Sequence, residues 1–327
     1  MNLDSITDAP DILMEFLEYH STVRGHSDRT VNAYYTDLKI LFRYLKRRRH
    51  LVPRDMPFSE IDITDVDLDF IRSIRIEELY RYQSFSPENT DTSLSAASRC
   101  RRTSSVKSFY NYLVAKRHLL ERNIGLELDM PKKQASLPRY LQEEECERLL
   151  AACDGPYQYR DYCILMLFLC CGLRISELVS INVQDIYEDH LRVLGKGNKE
   201  RIVFFAEGCR EAIDDYLAVR NAEKTRDSDK NALFISQKNC RFGARGIEQM
   251  LERKLKQAGL DASRYSPHKL RHTAATLMLK NGVDTRALQE VLGHSNLNTT
   301  QIYTHLDNAA LREAARANPI GKKKKNE

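Results

Sequence analysis

The sequence predicts a mainly α protein with a single small β-hairpin, divided into two domains, and three observations carry that prediction. Apolar residues recur at helical spacing through most of the chain, and one short stretch alternates with period two instead. A polar segment with two prolines, "MPKKQASLPRYLQEEE" at 130 to 145, separates a smaller helical region from a larger one. A length of 327 residues exceeds the usual size of one domain, so both regions have enough chain to bury a core.

In order along the chain, Leu13, Phe16 and Leu17 open the helical pattern, and Val31, Tyr35, Leu38, Phe42 and Leu45 continue it. Asp37, Lys39 and Arg43 lie between the latter, which predicts an amphipathic helix with those three on its polar side. "SFSPENTDTSLSAAS" at 84 to 98 is rich in Ser, Thr, Pro and Asn and predicts a loop, with Ser95 or Ser98 capping the helix that follows. That helix carries Val106, Phe109, Tyr110, Leu113 and Val114 on one side. The boundary is expected at 135/136, giving a helical domain over 1–135 and a second domain over 136–327.

The second region begins with helices and then changes period. "HLRVLGKGNKERIVFF" sets Leu191 and Val193 against Arg192, crosses Gly197-Asn198 and resumes with Ile202 and Phe204, the pattern of a β-hairpin. "GIEQMLERKLKQAGL", "SPHKLRHTAATLMLKNG", "DTRALQEVLGH" and "NAALREAARANP" then follow, all helical by spacing and closed by Gly or Pro or, in "DTRALQEVLGH", by Gly-His. The last is a tail helix over 308–318. Its Leu311, Ala314 and Ala315 form a face too thin to anchor it on its own domain, so docking onto a neighbouring protomer is expected.

Charge narrows the class of partner. Lys and Arg total 51 against 46 Asp and Glu, a net +5 that permits a polyanion without demanding one. The distribution is more telling, with ten acidic and three basic residues from Asp55 to Asp91, then six basic and no acidic ones from Arg99 to Arg117. Such segregation suggests one face built for phosphates, with Arg99, Arg101, Arg102 and Lys107 as its contacts. The eight cysteines show no paired or metal-ligand spacing and read as reduced, buried thiols; no metal and no cofactor is expected. The N-terminus lacks a signal pattern, and the apolar run Cys163 to Cys171 is too short for a bilayer, so a soluble, cytoplasmic protein without membrane contact is expected.

Chemistry concentrates in four places. In "CCGLRISEL" Arg174 stands where one helix stops at Gly172 and another starts, able to pair with Glu177 or to hold two oxygens of one phosphate. In "PHKLRHTAATLML" His268 and Arg271 are three apart and share a face near a helix start, while His272 points elsewhere and is structural. Lys196 stands in a hairpin turn between two glycines, which let the backbone approach another surface closely. "GHSNLNTTQIYTH" carries His294 and Tyr303 around a polar loop. Two arginines, two histidines, a lysine and a tyrosine, with no carboxylate cluster, suit phosphoryl transfer through a covalent tyrosine. The cations then stabilise the charge that develops on the nonbridging oxygens.

"CGLRISEL", "GKGNKER", "HKLRHTAAT" and "LGHSNLNTTQIYTH" resemble, in that order, the catalytic boxes of the tyrosine recombinases of the phage integrase family, and most of all those of the Xer type. The resemblance is close over 140 to 310 and looser over the N-terminal bundle, which is similar to the family's SAM-like core-binding domain. It implies a catalytic set of Arg174, Lys196, His268, Arg271, His294 and the nucleophile Tyr303. The reaction it implies is metal- and ATP-independent, through a 3′-phosphotyrosyl bond, on double-stranded DNA with paired half-sites, in a homo-tetramer or a hetero-tetramer with a related recombinase. Cys171 departs from the family's usual Thr at a packing position. Chromosome-dimer resolution is the expected role. A mobile-element integrase, a type IB topoisomerase-like enzyme and a non-catalytic DNA-binding regulator are the alternatives.

Overall fold

The computed structural model describes residues 3, 6–87, 94–132, 139–195, 200–221, 225–292 and 308–322. Lys196, His294 and Tyr303 lie outside the described residues. The chain divides into two compact units, Met1–Ser136 and Leu137–Glu327.

In the first unit, α1 (Asp11–Glu18) passes into a single π turn (Tyr19–Val23) and then into the long α2 (Asp28–Arg48), whose N-terminus is capped by Ser27. Two short helices, α3 (Leu68–Arg72) and α4 (Ile76–Gln83), lead to α5 (Ala96–Ala115) and α6 (Ile124–Glu127). Of the two serines expected to cap α5, Ser95 does so, its Oγ accepting the Ser98 N–H at 3.1 Å. Leu13, Phe16, Leu38, Phe42, Val106, Phe109 and Leu113 meet in one core. Asp37 corrects the reading of α2. It is fully buried rather than on the polar side, and its Oδ2 accepts from Ser105 Oγ at 2.7 Å and from Arg101 Nη1 at 2.6 Å.

The second unit is organised around α8 (Gln158–Cys171), which follows α7 (Glu143–Ala151). Every residue from Cys163 to Cys171 is buried, as expected of a helix that is apolar all round. After α8 come α9 (Ile175–Ser180) and the antiparallel hairpin of β1 (His190–Leu194) and β2 (Glu200–Phe204). Then follow α10 (Glu207–Val219), α11 (Ala244–Gln257), α12 (Pro267–Lys280), α13 (Thr285–Leu292) and α14 (Asn308–Arg316), with a 3-10 turn at Pro319–Lys322. α8 packs against α10, α12 and α7, and its thiols Cys163, Cys170 and Cys171 lie in the core.

The hairpin register differs from the alternation expected. Leu191 pairs with Val203 and Val193 with Arg201, so these four share the inward face, whereas Ile202 is 48% exposed. A glycine ends α8 for two reasons. Gly172 takes a left-handed conformation (φ +58°), and a Cβ there would lie 2.7 Å from Leu292 Cδ2.

The tail differs most from expectation, because it docks on its own unit. Ala314 and Leu311 pack with Leu288 and Val291 of α13, and Ile320 enters the core around α8. Arg312 bonds Asp189 at 2.6 Å and lies over the Phe204 ring. Asn318 is fully buried and its Nδ2 donates to Leu169 O at 2.9 Å, satisfying a carbonyl in the last turn of α8. Replacing Asn318 with Ala removes that donor inside the core and is expected to cost about 1–3 kcal/mol of stability, read as a lowered thermal midpoint against wild type.

Candidate active site

One carboxylate gathers the site. Glu177, in the first turn of α9, is 1% exposed. Its Oε2 accepts the Arg174 backbone N–H at 2.8 Å, which caps α9, and its Oε1 accepts Arg174 Nη1 at 2.7 Å. From β2, Arg201 reaches both oxygens, Nη2 to Oε2 at 3.0 Å and Nε to Oε1 at 3.3 Å. From α12, Arg271 Nη1 stands 3.8 Å from Oε2.

Arg271 is held at both ends of its fork. Nη1 donates to Gly172 O at 2.6 Å, and Nη2 donates to Leu292 O. Arg201 Nη1 donates in the same way to Val291 O. Two arginines therefore satisfy carbonyls in the last turn of α13, where a helix end is both short of donors and partly negative. The next residue begins the stretch that holds His294.

Among the described residues, three guanidinium groups thus surround one carboxylate, a formal surplus of two positive charges in a largely buried place. Burial and the neighbouring charges both act on the titration of Arg271. Burial and then the neighbouring Arg174 charge bring it down to about 10, so it remains charged at neutral pH under electrostatic stress. Burial drives the Glu177 carboxyl up, but the hydrogen bond and charge of Arg201, with the bonds from Arg174, outweigh it and hold the group below its ordinary value. An anion placed among these arginines relieves their repulsion. Arg174 is the member with access to it, its side chain being 35% exposed.

His268 lies in the first turn of α12 and is exposed, one helical turn from Arg271. His272 is half-buried against Tyr140, and burial lowers its pKa. Glu177 as an ion-pair hub and Arg201 as a member of the site were both missed in the sequence as site residues. Arg201 reaches the site because the register pairs it with Val193, two residues before the inward Val203.

The four residues expected to bind DNA separate on the first unit. Arg102 is buried, with Nη1 donating to Phe85 O at 2.6 Å and its guanidinium over the Tyr82 ring; it secures the bundle interior, which corrects its assignment as a phosphate contact. Arg101 is half-exposed beside Asp37, Arg99 is partly exposed, and Lys107 is partly exposed with Nζ 3.4 Å from Leu126 O. Among the described residues no group of three or more His, Cys, Asp or Glu side chains is placed to hold a metal ion, and no helix is long and apolar enough to cross a membrane.

Residues 139–310 match the model of the phage integrase family. The chain belongs to that family. It is 50% identical to the tyrosine recombinase XerC of Caldanaerobacter subterraneus subsp. tengcongensis, across 95% of this chain and 87% of that protein. It is 36% identical to XerC of Vibrio cholerae across 99% of both. Among solved structures it shares its fold with the XerH site-specific recombinase bound to a palindromic difH substrate, at TM-score 0.63 and 22% identity, covering 93% of this chain and 83% of that one. The protein is accordingly a tyrosine-type, Xer-like site-specific recombinase.

Arg271→Lys keeps a cation but cannot span Gly172 O and Leu292 O with one fork. DNA cleavage is expected to fall by about 10²–10³ while DNA binding stays near wild type, measured by single-turnover cleavage beside a gel shift.

Proposed function

We propose that this recombinase cuts and rejoins DNA through a covalent bond to Tyr303, with Arg174 and Arg271 clamping the phosphate that is attacked. The observation that carries the reading is the surplus of two positive charges, among the described residues, around Glu177. A phosphodiester brings one negative charge, and a tyrosine oxygen attacking without its proton brings a second. The pocket therefore matches the transition state better than the bound substrate, as catalysis requires.

In this reading Tyr303 Oη forms the bond to phosphorus and the bond to the 5′ oxygen breaks. His268 accepts the tyrosine proton, Lys196 protonates the departing 5′ oxygen, and His294 donates a hydrogen bond to a nonbridging oxygen. The 5′-hydroxyl of a partner strand then attacks the phosphotyrosine, so the energy of the original bond is conserved and no ATP is needed. Arg99, Arg101 and Lys107 serve as phosphate contacts of the N-terminal unit. The working assembly is a tetramer on two duplexes of paired half-sites, in keeping with the lambda integrase tetramer solved on a Holliday junction, whose fold the chain shares. Resolution of chromosome dimers is the role that the likeness to XerC supports.

Tyr303→Phe removes one hydroxyl from a site held mainly by phosphate contacts, and is expected to bind target DNA nearly normally yet form no covalent adduct. A nicked duplex that traps the adduct, run on a denaturing gel in EDTA, measures this. An adduct surviving in the variant, or one that forms in wild type only with a divalent ion, would contradict the mechanism.

A further inference from the structure

Arg201 makes contacts that stability alone explains poorly. It is 15% exposed and lies on the inward face of β2, in a pocket that already holds Arg174 and Arg271. A third buried cation raises the repulsion there, and Arg201 is one of the charges that depress Arg271. An apolar side chain at such a position often serves stability as well as a buried ion pair does.

The contacts also join pieces that are remote along the chain. One planar fork ties β2 to Glu177 at the start of α9 and to Val291 O in the last turn of α13. Glu177 in turn aims Arg174, and α13 leads directly to the stretch that carries His294.

We propose that Arg201 is a positioning residue for strand cleavage, one that fixes the Glu177 carboxylate on Arg174 and sets β2 and the end of α13 against that clamp. Arg201 does not touch the phosphate. The inference rests on the covalent-tyrosine reading given above.

A pH signature follows. The charged groups that face Glu177 are Arg174 from its own helix, Arg201 from β2 and Arg271 from α12. Burial favours the neutral carboxyl, and the hydrogen bond from Arg201 is the largest effect opposing it. With Arg201 present the carboxyl sits below its ordinary value, so the clamp stays aligned through the neutral range. Without Arg201 the pKa of Glu177 rises. Alignment is then lost as pH falls through the raised value, which moves the acid limb of the activity profile upward.

The test uses the full chain and a nicked duplex built from the sequence that wild type enriches from a random-duplex pool. Single-turnover adduct formation is followed against pH for wild type, Arg201→Ala, Arg201→Lys and Glu177→Gln. Arg201→Ala is expected to cleave about 10²-fold more slowly at neutral pH, with DNA affinity little changed and its acid limb shifted upward. Arg201→Lys is expected to recover part of the rate, and Glu177→Gln to be slow with no limb from that carboxyl. Arg201→Lys carries the comparison if the Ala variant fails to fold. Loss of melting temperature and DNA affinity together, with an unchanged pH profile of the surviving activity, would show a merely structural role and overturn the proposal. If wild type itself forms no adduct at Tyr303, the covalent-tyrosine reading fails, and the role of Arg201 fails with it.

Discussion

A single buried carboxylate shared by three arginines organises the catalytic unit. Glu177 caps α9 through the Arg174 backbone and orients Arg174 through its side chain. It anchors the hairpin through Arg201 and lies 3.8 Å from the fork of Arg271. Removing charges from water is costly, and one negative group cannot neutralise three positive ones. The fold therefore holds a positive surplus that a phosphate under attack by a tyrosine oxygen can satisfy. Arg271 also donates to Gly172 O and Leu292 O, and Arg201 to Val291 O, so the same cluster fastens the end of α8 and the last turn of α13.

Much of this was legible from periodicity and from short motifs. Helical spacing placed the helices around Leu13, Leu38 and Phe109, and the quoted boxes placed Arg174, His268 and Arg271 at helix starts where the structure has them. What the sequence concealed were residues whose partners are distant along the chain. Asp37 looks like a polar-face residue until α5 brings Ser105 and Arg101 to it, and Arg102 looks like a phosphate contact until its guanidinium meets Phe85 O. Register is also invisible locally. A shift of one residue in β2 exchanges Ile202 for Val203 on the inward face, and that shift is what brings Arg201 to Glu177.

The tail shows why a thin apolar face is a poor guide to docking. Leu311, Ala314 and Ala315 alone offer little area, but anchoring comes from beyond the helix, through Ile320 in the core and Asn318 on the last turn of α8. An orphan carbonyl at a buried helix end demands a donor, and no pattern in the tail announces which helix end it will serve. The consequence is local and mechanical. α8 is secured by Asn318 at its last turn and leads through Gly172 directly into Arg174, so the tail steadies the segment that presents the clamp.

The central claim is that the surplus charge around Glu177 is a phosphate site completed by Tyr303. A crystal structure of the protein joined to a cleaved duplex tests it most directly. The account predicts one phosphate bonded to Tyr303 Oη, with its nonbridging oxygens within hydrogen-bonding distance of the Arg174 and Arg271 guanidinium groups. A covalently bound phosphate that leaves both arginines in their Glu177, Gly172 and Leu292 contacts alone, touching neither, would contradict it.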